Sequence, residues 1–315
     1  MSLSNSDRSI NNYPAKAEIK NESSDSDCSR RSYRSPGYQP AKRPRTDRRK
    51  TAIDRLSELP DHVLVHMLSL LPIREAIQTL VLSRRWKSLW TYVPSLHFRL
   101  FNSCVSVRDI QRFVTFVDET LIRSNRSKLE KFEVLCWYQP NFASDVNRWT
   151  KFAVWKGAKE LHLSLPLAGL GSGGDECYEL PQYLYTNSSF GDLGFSRCSV
   201  VPEGVVAWKS LTRLSIGCVK LSEDVIHKIL AGSPVLEILE LYKFKGFNRL
   251  RVSNSSVKKL ILRNVWPICT TEEYMDSSKL EISAPNLRSL EITGCLARKN
   301  CRLGDVSLMQ RSNLT

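Results

Sequence analysis

The pattern of apolar and polar residues divides the chain into three parts. Residues 1–50 contain only 11 apolar residues and show no repeating pattern. Between Leu56 and Val93, 20 of 38 residues are apolar or aromatic, and they recur at the spacing of short amphipathic helices. From residue 100 onward, short apolar cores return every 21 to 32 residues. The pattern therefore predicts a polar tail, a small helical unit and an array of repeats.

Three short helices are predicted in the apolar segment, at about Asp61–Leu71, Arg74–Leu82 and Arg84–Trp90. Pro60 suits a helix entry, Asp61 and Ser83 are candidate caps, and Pro72 ends the first helix. So small a unit cannot bury this many apolar side chains against one another. Two interpretations remain open: the helices dock on the downstream domain, or they form a docking surface for another subunit.

The repeats share an apolar-x-x-apolar-x-apolar core in which Leu usually holds the second apolar position. The seven cores begin at Leu129, Ala158, Phe190, Leu211, Leu236, Val257 and Leu287. Helix-like spacers lie at Arg108–Arg123, Ser144–Trp155 and Ser222–Leu230. A strand plus a helix per repeat indicates a solenoid, because neither element alone can bury its apolar face.

Three segments of the helical unit carry a resemblance to a known family. They are Asp54–Asp61, which contains Leu-Ser-Glu-Leu-Pro-Asp, then Leu68–Pro72, and Leu82–Trp90, which reads Leu-Ser-Arg-Arg-Trp-Lys-Ser-Leu-Trp. Together they resemble the F-box of plant F-box/leucine-rich-repeat proteins. The Ser-Pro-Val-Leu-Glu-Ile-Leu sequence at 233–239 is similar to the repeats of that family.

The resemblance implies an α/β fold with a small three-helix F-box followed by an irregular leucine-rich-repeat solenoid. The expected organisation is a disordered basic tail at 1–50, an F-box at 51–95 and a repeat arc at 96–315. The last residues stop a short way into what would be another repeat, which is consistent with a truncated form.

An F-box of this kind implies binding to the Skp-family adaptor, and through it to the cullin, of a Skp–cullin–F-box ubiquitin ligase. The residues at the family's adaptor-contacting or box-packing positions are Leu59, Pro60, Val63, Leu64, Met67, Leu68, Leu71, Pro72, Ala76, Leu80 and Trp86. The resemblance does not say which of these residues contact the adaptor and which pack the box internally. The implied role is a non-catalytic substrate receptor. The alternatives are an adaptor-binding scaffold that directs no degradation and a basic nuclear protein that binds nucleic acid.

Polar residues that alternate with the repeat cores are candidates for binding a target protein. If the apolar residues point inward, their neighbours line the concave face of the sheet. The candidates are His162, Ser164, Arg213, Glu240, Tyr242, Lys259, Arg263 and Glu291. Their mixed charges favour a polar protein surface as the ligand, whereas an ordinary solvated face explains any single residue equally well.

The chain carries a formal net charge of +14. Residues 1–50 contain 12 basic and 6 acidic residues and so contribute +6 of that charge. A basic cluster closes this tail: Lys42, Arg43, Arg45, Arg48, Arg49 and Lys50. Such a cluster is typical of a nuclear localisation signal, a nucleic-acid patch or a solvated linker. No aromatic residues alternate with these basic ones, so the cluster lacks a feature that would favour nucleic-acid binding. We therefore expect a nuclear or cytoplasmic protein, or one present in both compartments.

Other classes of site find little support in the sequence. The nine cysteines are odd in number and include no Cys-x-x-Cys pair, which weighs against zinc and a disulfide framework. Cys198 and Cys295 fall in phase with the repeats and are expected to pack. The sequence contains no run of about 18 apolar residues, so it predicts no membrane-spanning helix. The five histidines form no nucleophile–His–acid arrangement, so we expect no enzyme, cofactor or metal.

Overall fold

The structure is a computed structural model that describes residues 56, 58–100, 106–167, 177–264, 280–294, 302–304 and 313–314. All of them lie within residues 54–315, one of the two units into which the chain divides. The predicted tail at 1–50, with its basic cluster, lies outside the described residues. So does Cys295.

The three helices predicted for the box are present but shorter than predicted. They are α1 (Asp61–Ser69), α2 (Ile73–Gln78) and α3 (Trp86–Leu89), and 3₁₀ turns at Thr79–Val81 and Trp90–Tyr92 continue α2 and α3. Both predicted caps were wrong. Pro60 caps α1 and Arg85 caps α3, and neither makes a side-chain capping bond. The Asp61 carboxylate pairs with Arg85 instead.

The later helices are α4 (Val107–Arg123), α5 (Ala143–Trp155), a short α6 (Gln182–Thr186) and α7 (Glu223–Gly232). Three of them, α4, α5 and α7, lie close to their predicted positions, whereas α6 was not predicted. Ser106 begins α4 with a capping box: its Oγ accepts from the Asp109 N–H (3.2 Å), and its own N–H donates to the Asp109 carboxylate (3.0 Å). Ser222 caps α7 as predicted, accepting from the Val225 N–H at 3.2 Å.

Fourteen strands run through the described residues. They are β1 (Ser95–Leu100), β2 (Lys131–Cys136), β3 (Glu160–Ser164), β4 (Tyr178–Glu179), β5 (Asp192–Ser196), β6 (Cys198–Ser199), β7 (Arg213–Gly217), β8 (Ile238–Tyr242), β9 (Arg249–Arg251), β10 (Lys259–Asn264), β11 (Glu281–Ser283), β12 (Ser289–Gly294), β13 (Arg302–Leu303) and β14 (Asn313–Leu314). Each of the seven predicted repeat cores supplies one strand of the main sheet.

The main sheet is parallel throughout, with strand order β1-β2-β3-β5-β7-β8-β10-β12-β14. Equivalent repeat residues lie side by side: Leu161 pairs with Leu193, and Leu193 with Leu214. Strand β1 was not predicted, and it joins the box directly to this sheet. Smaller parallel sheets, β4-β6 and β9-β11-β13, lie outside it.

The spacers do not all follow the strand-plus-helix rule. Helices α4, α5, α6 and α7 lie in four of the spacers. Residues 197–212, between β5 and β7, contain β6 and no helix, and residues 243–258, between β8 and β10, contain β9 and no helix. Strand β9 pairs with β11 of the next spacer, so the backbone donors and acceptors of this short segment are satisfied between spacers.

The hydrophobic core is continuous from the box to the last repeats. Alternate strand residues are buried on the side of the sheet that faces the helices. Phe98 of β1 lies 5.8 Å from the ring of Phe132 and 6.1 Å from that of Phe116 in α4. Cys198 is buried in this core, as predicted. No helix in the described part of the chain is long and apolar enough to cross a membrane.

Candidate interaction surfaces

Helix α1 buries one side and leaves apolar residues exposed on the rest of its surface. Leu64 and Leu68 are buried in the core. Met67 is exposed, and Leu70, just past the end of the helix, is 73% exposed. Apolar side chains therefore remain in solvent beside the buried ones, so the downstream arc does not cover the whole box.

A second group of exposed apolar residues follows α2. Val81 is 80% exposed and Leu82 is 60% exposed, while Leu80 beside them is exposed to a smaller degree. Successive helical residues are separated by about 100° around the axis, so three apolar residues in a row cannot all face one core. The run Leu80-Val81-Leu82 is the sequence pattern that indicates this surface, and of its three residues only Leu80 was among the predicted adaptor-binding residues.

The eleven predicted adaptor-binding residues fall into three groups. Leu64, Leu68, Ala76 and Trp86 are buried and pack the box internally. Leu59, Val63, Leu71 and Pro72 are half-buried, and Pro60, Met67 and Leu80 are exposed. Only the second and third groups have surface to offer a partner. The most exposed apolar residues of the box, Leu70, Val81 and Leu82, were not among the predicted residues.

Arg85 holds the start of α1 against the start of α3. Its Nε donates to the Asp61 carboxylate at 2.7 Å, and its Nη2 donates to the Leu59 carbonyl at 2.5 Å. One guanidinium therefore fixes both a side chain and a backbone group at the helix entry. The Ser-Arg-Arg-Trp segment thus positions the Leu59–Pro60 step.

The box is fixed to the repeat arc by several direct contacts. The Asn125 N–H donates to the Thr91 carbonyl at 2.9 Å, and the Glu130 N–H donates to the Pro94 carbonyl at 2.8 Å. The Arg74 guanidinium of α2 lies 4.9 Å from the centre of the Phe116 ring in α4. Together with β1, these contacts make the junction part of the fold.

The side of the main sheet that faces away from the helices is here called the open face. Its residues form three rows across neighbouring strands. From β1 to β12, the first row is Ser95, Lys131, Glu160, Asp192, Arg213, Ile238, Lys259 and Ser289; the second is His97, Glu133, His162, Gly194, Ser215, Glu240, Ile261 and Glu291; the third is Arg99, Leu135, Ser164, Ser196, Gly217, Tyr242, Arg263 and Thr293. All eight predicted target-binding residues lie on this face.

Ion pairs connect the rows of the open face near β2. Glu133 contacts His97 and Arg99, each at 3.1 Å, and Lys131 at 3.3 Å. The hydrogen bond with His97, helped by the charges of Lys131 and Arg99, lowers the pKa of Glu133 to about 2 against the opposing effect of burial. Glu133 was not among the predicted residues, because only the structure shows that His97, Arg99 and Lys131 meet on it.

The predicted target-binding residues take part in similar pairs. His162 Nε2 lies 3.0 Å from Asp192, which Arg213 approaches at 3.7 Å. Arg263 bridges Glu240 (3.4 Å) and Glu291 (3.5 Å), and Lys259 reaches Glu291 at 3.3 Å. Ser164 is half-buried in the third row. The face is therefore a lattice of opposite charges and not a patch of one sign.

The ring of Tyr242, in β8, lies over Gly217 of the neighbouring strand β7. A Cβ placed on Gly217 would fall 2.0 Å from the Tyr242 ring, so the ring occupies the space above that glycine. Burial raises the pKa of Tyr242. A shallow cavity of about 310 Å³ lies between this ring and His162, and Asp192, Arg213 and Glu240 also line it.

Glu160, His162 and Asp192 also place three candidate metal-ligating atoms within 4.8 Å of one another. Both carboxylates already face cations, since Lys131 lies 3.9 Å from Glu160 and Arg213 lies 3.7 Å from Asp192. We therefore assign these three residues to the lattice of opposite charges on the open face.

Two family models match this chain, one over the box and one over the repeats. A model described as F-box domain matches residues 56–98. A model described as "FBD-associated F-box protein At5g56370, LRR repeats" matches residues 146–314, more than half of the chain. The chain belongs to the F-box/leucine-rich-repeat family. The resemblance inferred from the sequence is thereby confirmed, as is the fold class.

Relatives of this F-box/leucine-rich-repeat protein come from Arabidopsis thaliana. It is 31% identical over 277 residues to F-box/LRR-repeat protein At3g03360, covering 84% of this chain and 52% of the relative. It is 32% identical over 244 residues to Putative F-box protein At1g49610 (76% and 56%), and 30% identical over 266 residues to F-box protein At5g03100 (83% and 76%). The chain thus spans about half the length of the first two relatives.

Proposed function

We propose that this protein is the target-recognition subunit of a Skp–cullin–F-box ubiquitin ligase. Its box would bind the Skp-family adaptor, and through it the cullin, while its open face would hold a target protein. The chain itself would perform no bond chemistry. It would keep target lysines near a ubiquitin-charged enzyme, which raises their effective concentration.

The exposed apolar surface of the box is the observation that carries this proposal. Leu70, Val81 and Leu82 lie in solvent within the segment that matches an F-box. Exposed apolar patches of this kind mark protein–protein contacts. Burying one such side chain contributes about 1.5–3 kcal/mol, so three of them can anchor a partner.

The fixed junction between box and arc supports the same role. A receptor that positions one protein relative to another loses effective concentration if its two binding surfaces are joined by a flexible link. Here a strand of the main sheet, β1, and the Arg74–Phe116 contact join the two surfaces.

The open face supports a polar protein as the target. Its charges are held by neighbours on adjacent strands, so they are already positioned before a partner arrives. Complementary charge at such a face favours the correct partner and the rate of encounter more than affinity.

Adaptor pull-down tests the proposal. The double variant Leu70→Glu/Val81→Glu places two charges on the apolar surface without touching the core, and it should lose the Skp-family adaptor. The matched control is Ile122→Glu/Val205→Glu, since these residues are 83% and 81% exposed but lie outside the box. Retention of the adaptor by the first variant, or its loss in both, would contradict the proposal.

The same variant can identify the target. Deleting the box would open the continuous core, whereas Leu70→Glu/Val81→Glu leaves it intact. A target should accumulate on the variant and carry ubiquitin chains only when the wild-type protein is present. A partner that never becomes ubiquitinated would indicate a scaffold without a degradative role.

We further propose that the cluster Lys42–Lys50 directs nuclear import, from its composition alone. A fluorescent fusion in which its six basic residues are replaced by Gln should move out of the nucleus. An unchanged distribution would remove this part of the proposal.

A further inference from the structure

A basic cavity of about 550 Å³ lies at the carboxyl ends of β5, β7 and β8. Arg197, Lys220, Lys243 and Lys245 line it, together with the hydroxyl-bearing Ser199. Among the described residues that line the cavity there is no carboxylate. This contrasts with the open face beside it, where cations and carboxylates alternate.

Three of the lining residues have an unusual backbone conformation. Arg197, Cys218 and Lys243 each follow directly after a strand of the main sheet, and their φ angles are +55°, +51° and +49°. Within the described part of the chain they are the non-glycine residues with positive φ. Their N–H groups donate to the next strand, as in Arg197 to the Gly217 carbonyl at 3.0 Å. L-residues disfavour this region, and such strain concentrates at functional sites.

Two further lysines are held side by side. Lys220 and Lys245 are partners in a parallel β-bridge, and the Lys245 N–H donates to the Val219 carbonyl at 3.1 Å. In the described part of the chain no carboxylate forms an ion pair with Arg197, Lys220 or Lys243. Within the part of the chain that the structure describes, the cavity therefore brings three cations together without a carboxylate paired to any of them.

We propose that this cavity binds a phosphate-bearing ligand. A phosphoryl group supplies about 1.5 to 2 negative charges and three acceptor oxygens, whereas a carboxylate supplies one charge. The planar Arg197 guanidinium suits bidentate contact with phosphate, and the lysines add point charges around it. The cavity volume lies in the range of small-molecule sites.

The phosphate has two possible sources. It can belong to a free polyphosphate compound or to a phosphorylated residue of the target protein. The second source rests on the proposed function, because it makes phosphorylation the signal that the receptor recognises. The first source does not depend on it.

Calorimetric titration with inorganic tripolyphosphate tests the site. All proteins are full-length and carry Gln at the six basic positions of the Lys42–Lys50 cluster, which removes that background. The double variant Lys220→Gln/Lys243→Gln should weaken binding by about tenfold or more. The control Lys209→Gln/Arg288→Gln removes the same charge from exposed positions outside the cavity and should change binding by less than about twofold. Equal weakening in both, or no binding at all, would overturn the proposal.

Competition experiments separate the two sources. A mixture of peptides centred on phosphoserine should displace tripolyphosphate, and the same mixture without phosphate should not, if the source is a target protein. If neither mixture displaces it, the source is a free phosphate compound. Asp175 and Glu176 directly precede the lining residue Cys177 in the sequence. If tripolyphosphate binds only after Asp175→Asn/Glu176→Gln, carboxylates of the chain itself compete with phosphate and the proposal fails. Adaptor pull-down on the Lys220→Gln/Lys243→Gln variant should be unchanged, so failure of the cavity and failure of the ligase role give different results.

Discussion

On the open face, the Tyr242 ring packs directly over Gly217. The ring uses space that any side chain at position 217 would fill. The φ angle at this glycine is not in the left-handed region, so the requirement for glycine is steric. The packing also keeps the Tyr242 ring fixed beside the cavity that His162 and Arg213 line.

The variant Gly217→Ala should therefore displace the Tyr242 ring and lower the free energy of unfolding by about 1–3 kcal/mol. Urea denaturation measures the change. Gly204→Ala is the control, because its new Cβ would meet nothing within 4 Å. In a Tyr242→Ala background the same substitution should cost much less. An equal cost in both backgrounds would show that the ring is not the obstacle.

Glu133 makes stability depend on pH in acid. In the folded protein its pKa is about 2, compared with an ordinary value of 4.5. Its contribution is therefore complete above about pH 4.5 and is lost as the pH falls toward 2. Wild-type stability should fall more steeply across this interval than that of Glu133→Gln, as followed by denaturation at successive pH values. Glu130→Gln, at an exposed site on the same segment, should parallel the wild type.

Helices and strands were predictable where the pattern is local. Seven repeat cores became seven strands because each carries its own alternation, and Ser222 caps α7 because that bond joins residues three apart. Strand β1 was missed because Ser95–Leu100 lacks the repeat core, although Leu96 and Phe98 alternate. The Asp61 cap failed because Arg85, 24 residues away, takes the carboxylate. Likewise, the sequence could not show which box residues are buried and which are exposed, because that depends on which of them the arc covers.

Arg85 is the residue that connects two box helices, so its removal should loosen the start of α1. The Val63 and Leu64 amides donate to the Pro60 carbonyl at 3.0 and 3.2 Å, at the point that Arg85 fixes. Arg85→Lys should speed their hydrogen exchange by about tenfold, because a lysine cannot reproduce the two-donor geometry. Arg84→Lys, at the exposed neighbouring position, is the control. Unchanged exchange in Arg85→Lys would mean that α1 is held by apolar packing alone.

Box and arc share one core, and this determines how the molecule unfolds. Phe98 is fully buried and belongs to β1, which follows the box and pairs with the first repeat. A three-helix box of this size has too little interior to be stable alone. Its stability should therefore be that of the arc on which it packs.

The variant Phe98→Ala tests this coupling. It should lower the free energy of unfolding by about 3–5 kcal/mol. Hydrogen exchange should show the Leu68 and Ala76 amides of the box losing as much protection as the Leu161 and Leu163 amides of the arc. Leu290→Ala makes a cavity in β12, several strands away. Because repeats interact chiefly with their neighbours, it should affect the box amides less. If Phe98→Ala lowers protection in the arc but not in the box, the box folds independently, and a rigid receptor would need another source of rigidity.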